Sequence, residues 1–571
     1  MAYKPSILGG TLTQIGHWNS NVVSTLYLWA CNRVGQCMAG YGETTRETRP
    51  RMERPNARKV NGKELTLNPI AGPMTDMGLI IGLTMITFLI CLAALVVAYF
   101  TYGRYLENVC DIDDSHPVPS KTRYDGVDYI PMPRWRIFLI QLLNIAGLGP
   151  IFGALLGAAY GPVAFLWITL GGIFIGSMHD FVAAVVSLKN DGLSLPEIIG
   201  KYMGYGPRMF MRVAALLLMV LVGAVFMSQS AELIAANISC PPLEQHMSAN
   251  MSMEVFVILM VIVAYFILAT VMPIDKVIGR LYPIFGLTVL VMALGMFYVL
   301  MTQSDKYVIP ELTSLRNCIA DAENFPILPM LFTTIACGAI SGFHATQSPM
   351  MARCMTNERQ SRSVFYGAMI TESIIALIWA AIAMAFWGGT GGLNAAIAEY
   401  GGSAARMVNE LSMETLGSLV APFVVFGVVA CAITSGDTAF RSARLIAADM
   451  MGIPQTRLLH RVLLSVPLFA GGLLLIFALP FQTIWSYFAW MNQTLAAITL
   501  WCITCYLARH GKPVAIGLLP ALFMTYVCAS YIFVSPMMAK LADSTMAYVL
   551  GGVLTLVVSA ALWKKVVTAK V

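Results

Sequence analysis

Asn144-Ile145-Ala146-Gly147-Leu148-Gly149-Pro150 interrupts one apolar run of this chain, and Ile335-Ala336-Cys337-Gly338-Ala339-Ile340-Ser341-Gly342-Phe343-His344 interrupts another about 190 residues later. Glycine and proline free backbone N–H and C=O groups, and at membrane depth these must find a partner because no bulk water reaches them. A substrate or ion can be that partner: the N-terminus of a half-helix favours a carboxylate, and freed carbonyls favour a cation. The competing reading is that the glycines only let helices approach closely. Each interruption opens a block of five apolar runs, and five is odd, so the second block enters from the opposite face as an inverted repeat. Two matched interruptions in two such blocks favour a midplane binding site over packing alone.

Composition says what medium these runs occupy. Of 571 residues, 58% are hydrophobic and 12% charged, against about 25% charged in soluble domains. The apolar residues fall in runs of about 20, the length that crosses a hydrocarbon core as helix. A transmembrane barrel would alternate apolar and polar residues instead. The chain therefore reads as an all-α integral membrane protein, with spans near 78–102, 137–160, 162–188, 209–237, 254–272, 280–302, 327–345, 362–388, 417–437, 458–480, 484–508, 513–535 and 543–567. These group into a leading helix and loop (77–136), a first five-helix block (137–302), a second (327–508), and two trailing helices with a short tail (513–571). Residues 1–76 are basic and weakly apolar. They read as a start-site artefact, with Met74 or Met77 the true beginning, or as an unstructured tail, and they lack the order of a signal peptide.

Lys and Arg concentrate in alternate loops, which marks the cytoplasmic face. Arg104, Lys121, Lys189, Lys201, Lys276, Arg353, Arg359, Arg441, Arg444, Arg509 and Lys565 fall on that side, which places the C-terminus in the cytoplasm. The net charge of +6 thus reports orientation in a membrane, not a nucleic-acid partner. Most of the 12 cysteines sit in apolar runs as small hydrophobes. Cys502 and Cys505 lack the second ligand pair of a zinc site, and no metal is expected. Cys240 and Cys318, in two outside loops, are candidates for pairing.

Charged side chains at membrane depth are costly, so each is a functional candidate. His179 and Asp180 lie mid-span, as part of a permeation path or proton relay, or as a local pair at a helix contact. Glu372 is isolated in Thr371-Glu372-Ser373. In Ala432-Ile433-Thr434-Ser435-Gly436-Asp437-Thr438-Ala439-Phe440-Arg441, the hydroxyls of Thr434, Ser435 and Thr438 and the Asp437 carboxylate offer hard oxygen ligands to a small cation or a proton. Asp437 and Arg441 are spaced i, i+4, so a helical salt pair competes with that reading, and both hold if Arg441 belongs to a gate. Within the interruptions, Gly147, Gly149, Pro150, Gly338, Ser341, Gly342 and His344 join His179 and Asp180 as candidates for the substrate site. There is no G-x-x-x-x-G-K-[ST] loop and no H-E-x-x-H motif, which argues against ATP-driven transport by this chain and against an enzyme. No cofactor is expected beyond a coupling ion, H+ or Na+. A nutrient sensor that signals without flux is the rival reading, but it needs an output surface and the cytoplasmic loops are short.

The residues also resemble a known family, the carbon starvation protein A family. The resemblance rests on Tyr102-Gly103-Arg104-Tyr105-Leu106-Glu107, Asp125-Gly126-Val127-Asp128-Tyr129, Ile145–Ile151, His179-Asp180-Phe181, Ile335–His344 and Ile433–Arg441, in order from about residue 78 onward. It implies uptake of peptides or pyruvate across the bacterial inner membrane under carbon limitation, driven by a proton or sodium gradient. It also implies a LeuT-type five-plus-five fold, with Gly147, Gly149, Gly338, Ser341 and His344 lining the substrate site and Ser435 and Asp437 the ion site. Many relatives carry a His-His pair where this chain has Ile140 and Gln141.

Overall fold

The computed structural model describes residues 85–126, 128–237, 246–248, 251–271, 274–455 and 457–568. The extension at 1–76 and Cys240, with its pairing to Cys318, lie outside the described residues. A leading helix α1 (Ile86–Val109) precedes the first block: α2 (Arg134–Ile145), α3 (Gly149–Tyr160), α4 (Val163–Leu188), a short α5 (Leu195–Met203), α6 (Tyr205–Ala235), α7 (Met253–Val271) and α8 (Ile274–Thr302). The second block repeats that order. It comprises α9 (327–334), α10 (Gly342–Ala352), α11 (Glu358–Phe386), a short α12 (Thr390–Glu399), α13 (Ala404–Met451), α14 (Leu458–Ala478) and α15 (Phe481–Arg509). Two helices follow, α16 (Ala515–Val534) and α17 (Ser544–Thr568). In each block a broken span is followed by an unbroken one and then by a short helix. The arrangement is the five-plus-five core with one leading and two trailing helices.

The two short helices lie on opposite faces, as an inverted repeat requires. Asn394 of α12 donates to Ala159 O at 3.1 Å, at the C-terminal end of α3. The end of α5 receives Arg509 from the end of α15, with Nη1 donating to Lys201 O at 3.2 Å, and Lys201 in turn reaches Asn190 just past the far end of α4. Among the described residues, nine helices are long and apolar enough to cross a membrane, or ten with the bent pair α2–α3, whose halves meet at 54°. The pair α9–α10 falls short of that test because the break divides it, and α15 because Asn492, Gln493 and Thr494 occupy its middle.

Two expectations need correction. The span placed at 417–437 runs on to Met451, so Arg441 and Arg444 are not loop residues: both are fully buried in α13. Charge ends the apolar window there, but Ala439, Phe440 and Ala443 continue the face that packs on α6, and packing rather than hydropathy sets the helix end. Likewise α8 begins at Ile274, which puts Lys276 within a helix. The all-α class stands, with one short antiparallel hairpin, β1 (His246–Ser248) with β2 (Met251–Ser252), beside the helices.

What seats the two broken spans against each other is a row of glycines. On α3, a Cβ at Gly149 would overlap the Cys337 side chain, one at Gly153 would come 2.8 Å from Thr334 O, and one at Gly157 would overlap Ile335. On α4, a Cβ at Gly176 would overlap Ala339 O, and one at Gly172 would stand 3.4 Å from Gly338 O. Bare helix surface thus lets an unwound segment lie against it in backbone contact. Gly338 itself has φ +91°, a conformation that L residues avoid, and a Cβ there would be 2.5 Å from Ala376 Cβ. Gly338→Ala should therefore destabilise the protein by at least about 1–2 kcal/mol. In detergent its thermal midpoint should drop, and Ala376→Gly should restore only the part due to the clash; an unchanged midpoint in Gly338→Ala would contradict this account of the break.

Candidate functional site

The second break leaves helical geometry at Ile335 (φ −94°, ψ 71°) and regains it after the extended Ser341. Its freed groups are met by side chains from three other helices. Trp167 Nε1 on α4 donates to Ile335 O at 2.9 Å. Gly338 N–H donates to Glu372 Oε1 on α11 at 3.1 Å. Asn492 Oδ1 on α15 accepts from Phe343 N–H at 2.8 Å and from Ser341 Oγ at 3.0 Å, which caps the start of α10. Next to it, Gln493 Nε2 donates to Phe332 O at 2.8 Å at the end of α9.

Around this break four titratable side chains, all fully buried, form a chain. His179 Nδ1 lies 2.8 Å from Asp180 Oδ1, and His344 Nδ1 lies 2.9 Å from Asp180 Oδ2, so one carboxylate holds two imidazoles. On the other edge of the His344 ring, Nε2 faces Glu372 Oε2 at 3.5 Å, an ionic contact too long and poorly aligned to count as a hydrogen bond. α4, α10 and α11 thus bring Asp180, His344 and Glu372 together, with the imidazole between two carboxylates. Such a group can exchange a proton in either direction without moving any backbone.

The first break turns at Ala146 (ψ 52°), where Gly147 is covered by Phe226 and Ser435. Ser435 Oγ donates to Leu143 O at 3.0 Å and lies 3.3 Å from Asn144 O, which ties α13 to the carbonyls released at the end of α2. The other ion-site candidates face elsewhere. The Thr434 hydroxyl donates to Ala430 O at 2.7 Å, and that of Thr438 to Thr434 O at 3.1 Å, both back along their own helix. Asp437 Oδ2 accepts from Tyr282 Oη on α8 at 2.7 Å. Arg441 Nη2 donates to Ala269 O of α7 at 2.8 Å. The structure therefore places Ser435 at the first break, Asp437 against α8 and Arg441 against α7, and does not gather the four ion-site candidates around one point.

Gly147 and Pro150 stand at the first break. Gly149 and Gly342 instead fill close contacts, Gly342 against the backbone of α15 at Asn492 and Ala496. Two residues of α2 carry amides that have no hydrogen-bond partner among the described residues: both polar atoms of Gln141 and of Asn144 are buried and unmatched. A cavity of about 590 Å³ opens at the end of α6, lined by Gln229, Glu232, Tyr400, Arg406, Phe481 and Gln482 among others. Its floor is aromatic. Phe481 packs on Trp485 (5.8 Å between ring centroids), Trp485 on Phe488 (5.5 Å), Phe488 on Phe226 (6.4 Å) and Phe226 on Phe343 (6.3 Å), a column that runs from the cavity to the second break.

Several of these groups are missing from the candidates read in the sequence. Glu372 was visible as an isolated intramembrane acid, but nothing local pointed to its partner 28 residues upstream. Asn492, Tyr282, Gln141 and Asn144 are uncharged, and the usable signal was an amide or phenol in an otherwise apolar helix.

The model of the family described as carbon starvation protein CstA matches residues 83–240 and 231–415. A Haemophilus influenzae protein described as an uncharacterized membrane protein is 42% identical, over 53% of this chain and 92% of its own length. The pyruvate/proton symporter BtsT of Escherichia coli is 26% identical, over 49% of this chain and 46% of the symporter. The peptide transporter CstA of the same organism is 24% identical, over 49% and 47%. The chain spans about half the length of these transporters. A manganese transporter of Eremococcus coleocola aligns in structure with a TM-score of 0.47 and 10% identity, over 78% of this chain and 98% of that one.

Because Asn492 satisfies two buried groups of the second break, Asn492→Ala should cost about 2–4 kcal/mol. The thermal midpoint in detergent should fall accordingly, while Thr434→Ala, whose hydroxyl serves only its own helix, should leave it nearly unchanged. Equal effects of the two substitutions would refute this assignment.

Proposed function

Since the chain belongs to the carbon starvation protein CstA family and is a multi-pass bacterial membrane protein, we propose that it imports a small carboxylate such as pyruvate, or short peptides, coupled to an inward proton gradient. The observation that carries this reading is the buried chain Asp180–His344–Glu372 set against a helix break. A proton taken up on this chain offsets a charge that is costly at membrane depth, which links its protonation to the conformation that buries it. The names of the symporter and the peptide transporter support the same reading.

The Lys and Arg distribution puts the end of α6, and with it the 590 Å³ cavity, on the outside, and the C-terminus in the cytoplasm. Substrate then enters through this vestibule, whose Glu232 and Arg406 present both signs of charge. The aromatic column from Phe481 to Phe343 closes the route to the break. Parting of that column, and then of the opposite side, is alternating access around the two breaks. The unmatched amides of Gln141 and Asn144 stand where a substrate carboxylate or peptide group would be held. Arg441 anchors the α13 side of the moving contact as a gate residue. A sodium-coupled variant has one observation in its favour: the Ser435 hydroxyl and the carbonyls of Leu143 and Asn144 already converge.

Uptake of labelled pyruvate and of a panel of di- and tripeptides into proteoliposomes tests this directly. An acid-outside gradient should accelerate uptake of one class of substrate. Glu372→Gln should abolish the response to the gradient while leaving substrate exchange between the two sides. Asp437→Asn, which still accepts from Tyr282, should insert normally and lose coupled uptake. Binding without flux would favour the sensor. A response to sodium alone, lost in Ser435→Ala, would move the coupling site to the first break, and no response to either gradient would overturn coupled transport.

A further inference from the structure

We propose that Cys337, His344 and Glu372 form a binding site for one divalent transition-metal ion of the zinc type, held at the second break by sulfur, nitrogen and oxygen. The ligand atoms of these three buried residues all lie within 4.8 Å of one another. Two of them are aimed there by what holds their opposite ends. Asp180 sits on His344 Nδ1 at 2.9 Å, which leaves Nε2 as the free edge of the ring. Gly338 N–H holds Glu372 Oε1 at 3.1 Å, which leaves Oε2. Among the described residues, Nε2 and Oε2 are both buried and without a hydrogen-bond partner, and they face each other at 3.5 Å. Adjacent ligands of a tetrahedral ion with bonds of 2.0–2.1 Å are about 3.3 Å apart, so the pair already has nearly the spacing of two zinc ligands.

The third ligand is placed by glycine. Gly338, with φ +91°, turns the chain directly after Cys337, and Gly149 leaves the space that the Cys337 side chain fills. The thiol also makes a long contact, 3.6 Å to Ser341 Oγ. A thiolate and a carboxylate with a neutral imidazole cancel the charge of a divalent ion, which removes the main cost of placing it in a low-dielectric interior. The Asp180–His344 contact is the outer-shell carboxylate that commonly orients a metal-bound histidine. A mixed S, N, O set selects zinc-like ions over magnesium or calcium, and three protein ligands leave a fourth position for water or an anion. Binding releases the thiol proton.

The site stands on geometry and does not depend on the transport reading. Only its consequence does: an ion on His344 and Glu372 would withdraw both from proton exchange and block coupled uptake. The test uses the full chain, reduced and freed of metal, in lipid nanodiscs, with Co2+ as probe. One Co2+ per chain should bind and show thiolate-to-cobalt charge transfer in the near ultraviolet. Zn2+ should displace it and excess Mg2+ should not. Cys337→Ser should abolish the charge-transfer band, and Glu372→Gln should keep the band while weakening binding about tenfold or more. Independently, Zn2+ should protect Cys337 of the unaltered protein from alkylation, mapped by peptide mass spectrometry. A cobalt spectrum unchanged in Cys337→Ser, no cobalt uptake, or no protection of Cys337 would overturn the proposal, whatever the uptake assays show.

Discussion

A backbone group without a partner inside a bilayer costs several kcal/mol, and this fold is organised around two places where the helical ladder is deliberately broken. At the second break the missing partners come from Trp167, Glu372, Asn492 and Gln493, on three different helices. At the first, Ser435 reaches across from α13. These bonds do more than satisfy the chain. Each one fixes a helix relative to a break, so α4, α11, α13 and α15 take their positions from the interrupted segments rather than from helix-to-helix packing alone.

The same economy explains the acid and imidazole groups. Glu372 is both the acceptor for a freed N–H and the far end of the Asp180–His344 chain. Its charge state therefore bears on how the break is held: an ionised Oε1 makes the stronger acceptor for Gly338 N–H. Chemistry at His344 and geometry at Gly338 share one side chain. Whatever neutralises the cluster, a proton or a metal ion, also acts on the backbone bond that holds the break.

How much of this was legible in the sequence follows from what the signals were. Apolar length and the Gly-rich interruptions were enough for the helix order and the inverted repeat, because both are local patterns with a known period. Helix ends were read less well: charge at Arg441 and Arg444 looked like a loop, yet both are buried where α13 packs on α6. The site was legible one residue at a time. His179, Asp180 and His344 stood out as costly groups, but their convergence is a property of contacts 164 residues apart, which no single-sequence pattern contains. Candidates in one local motif, from Thr434 to Thr438 with Arg441 as a gate, were read as acting together because they are adjacent in the chain. On a helix, adjacency spreads side chains around the axis, and here it sends them to three different neighbours.

The glycine row on α3 has a mechanical meaning. Ordinary helix contacts interlock, because side-chain ridges lie in the grooves of the neighbour and sliding must lift one over the other. Where Gly149, Gly153 and Gly157 meet the segment 334–337, one of the two surfaces has no ridges. The knobs all come from the other side: the Cys337 and Ile335 side chains fill the space that a Cβ at Gly149 or Gly157 would need. A side chain added on α3 would push the unwound segment off its seat, so the row sets how closely the two breaks can approach.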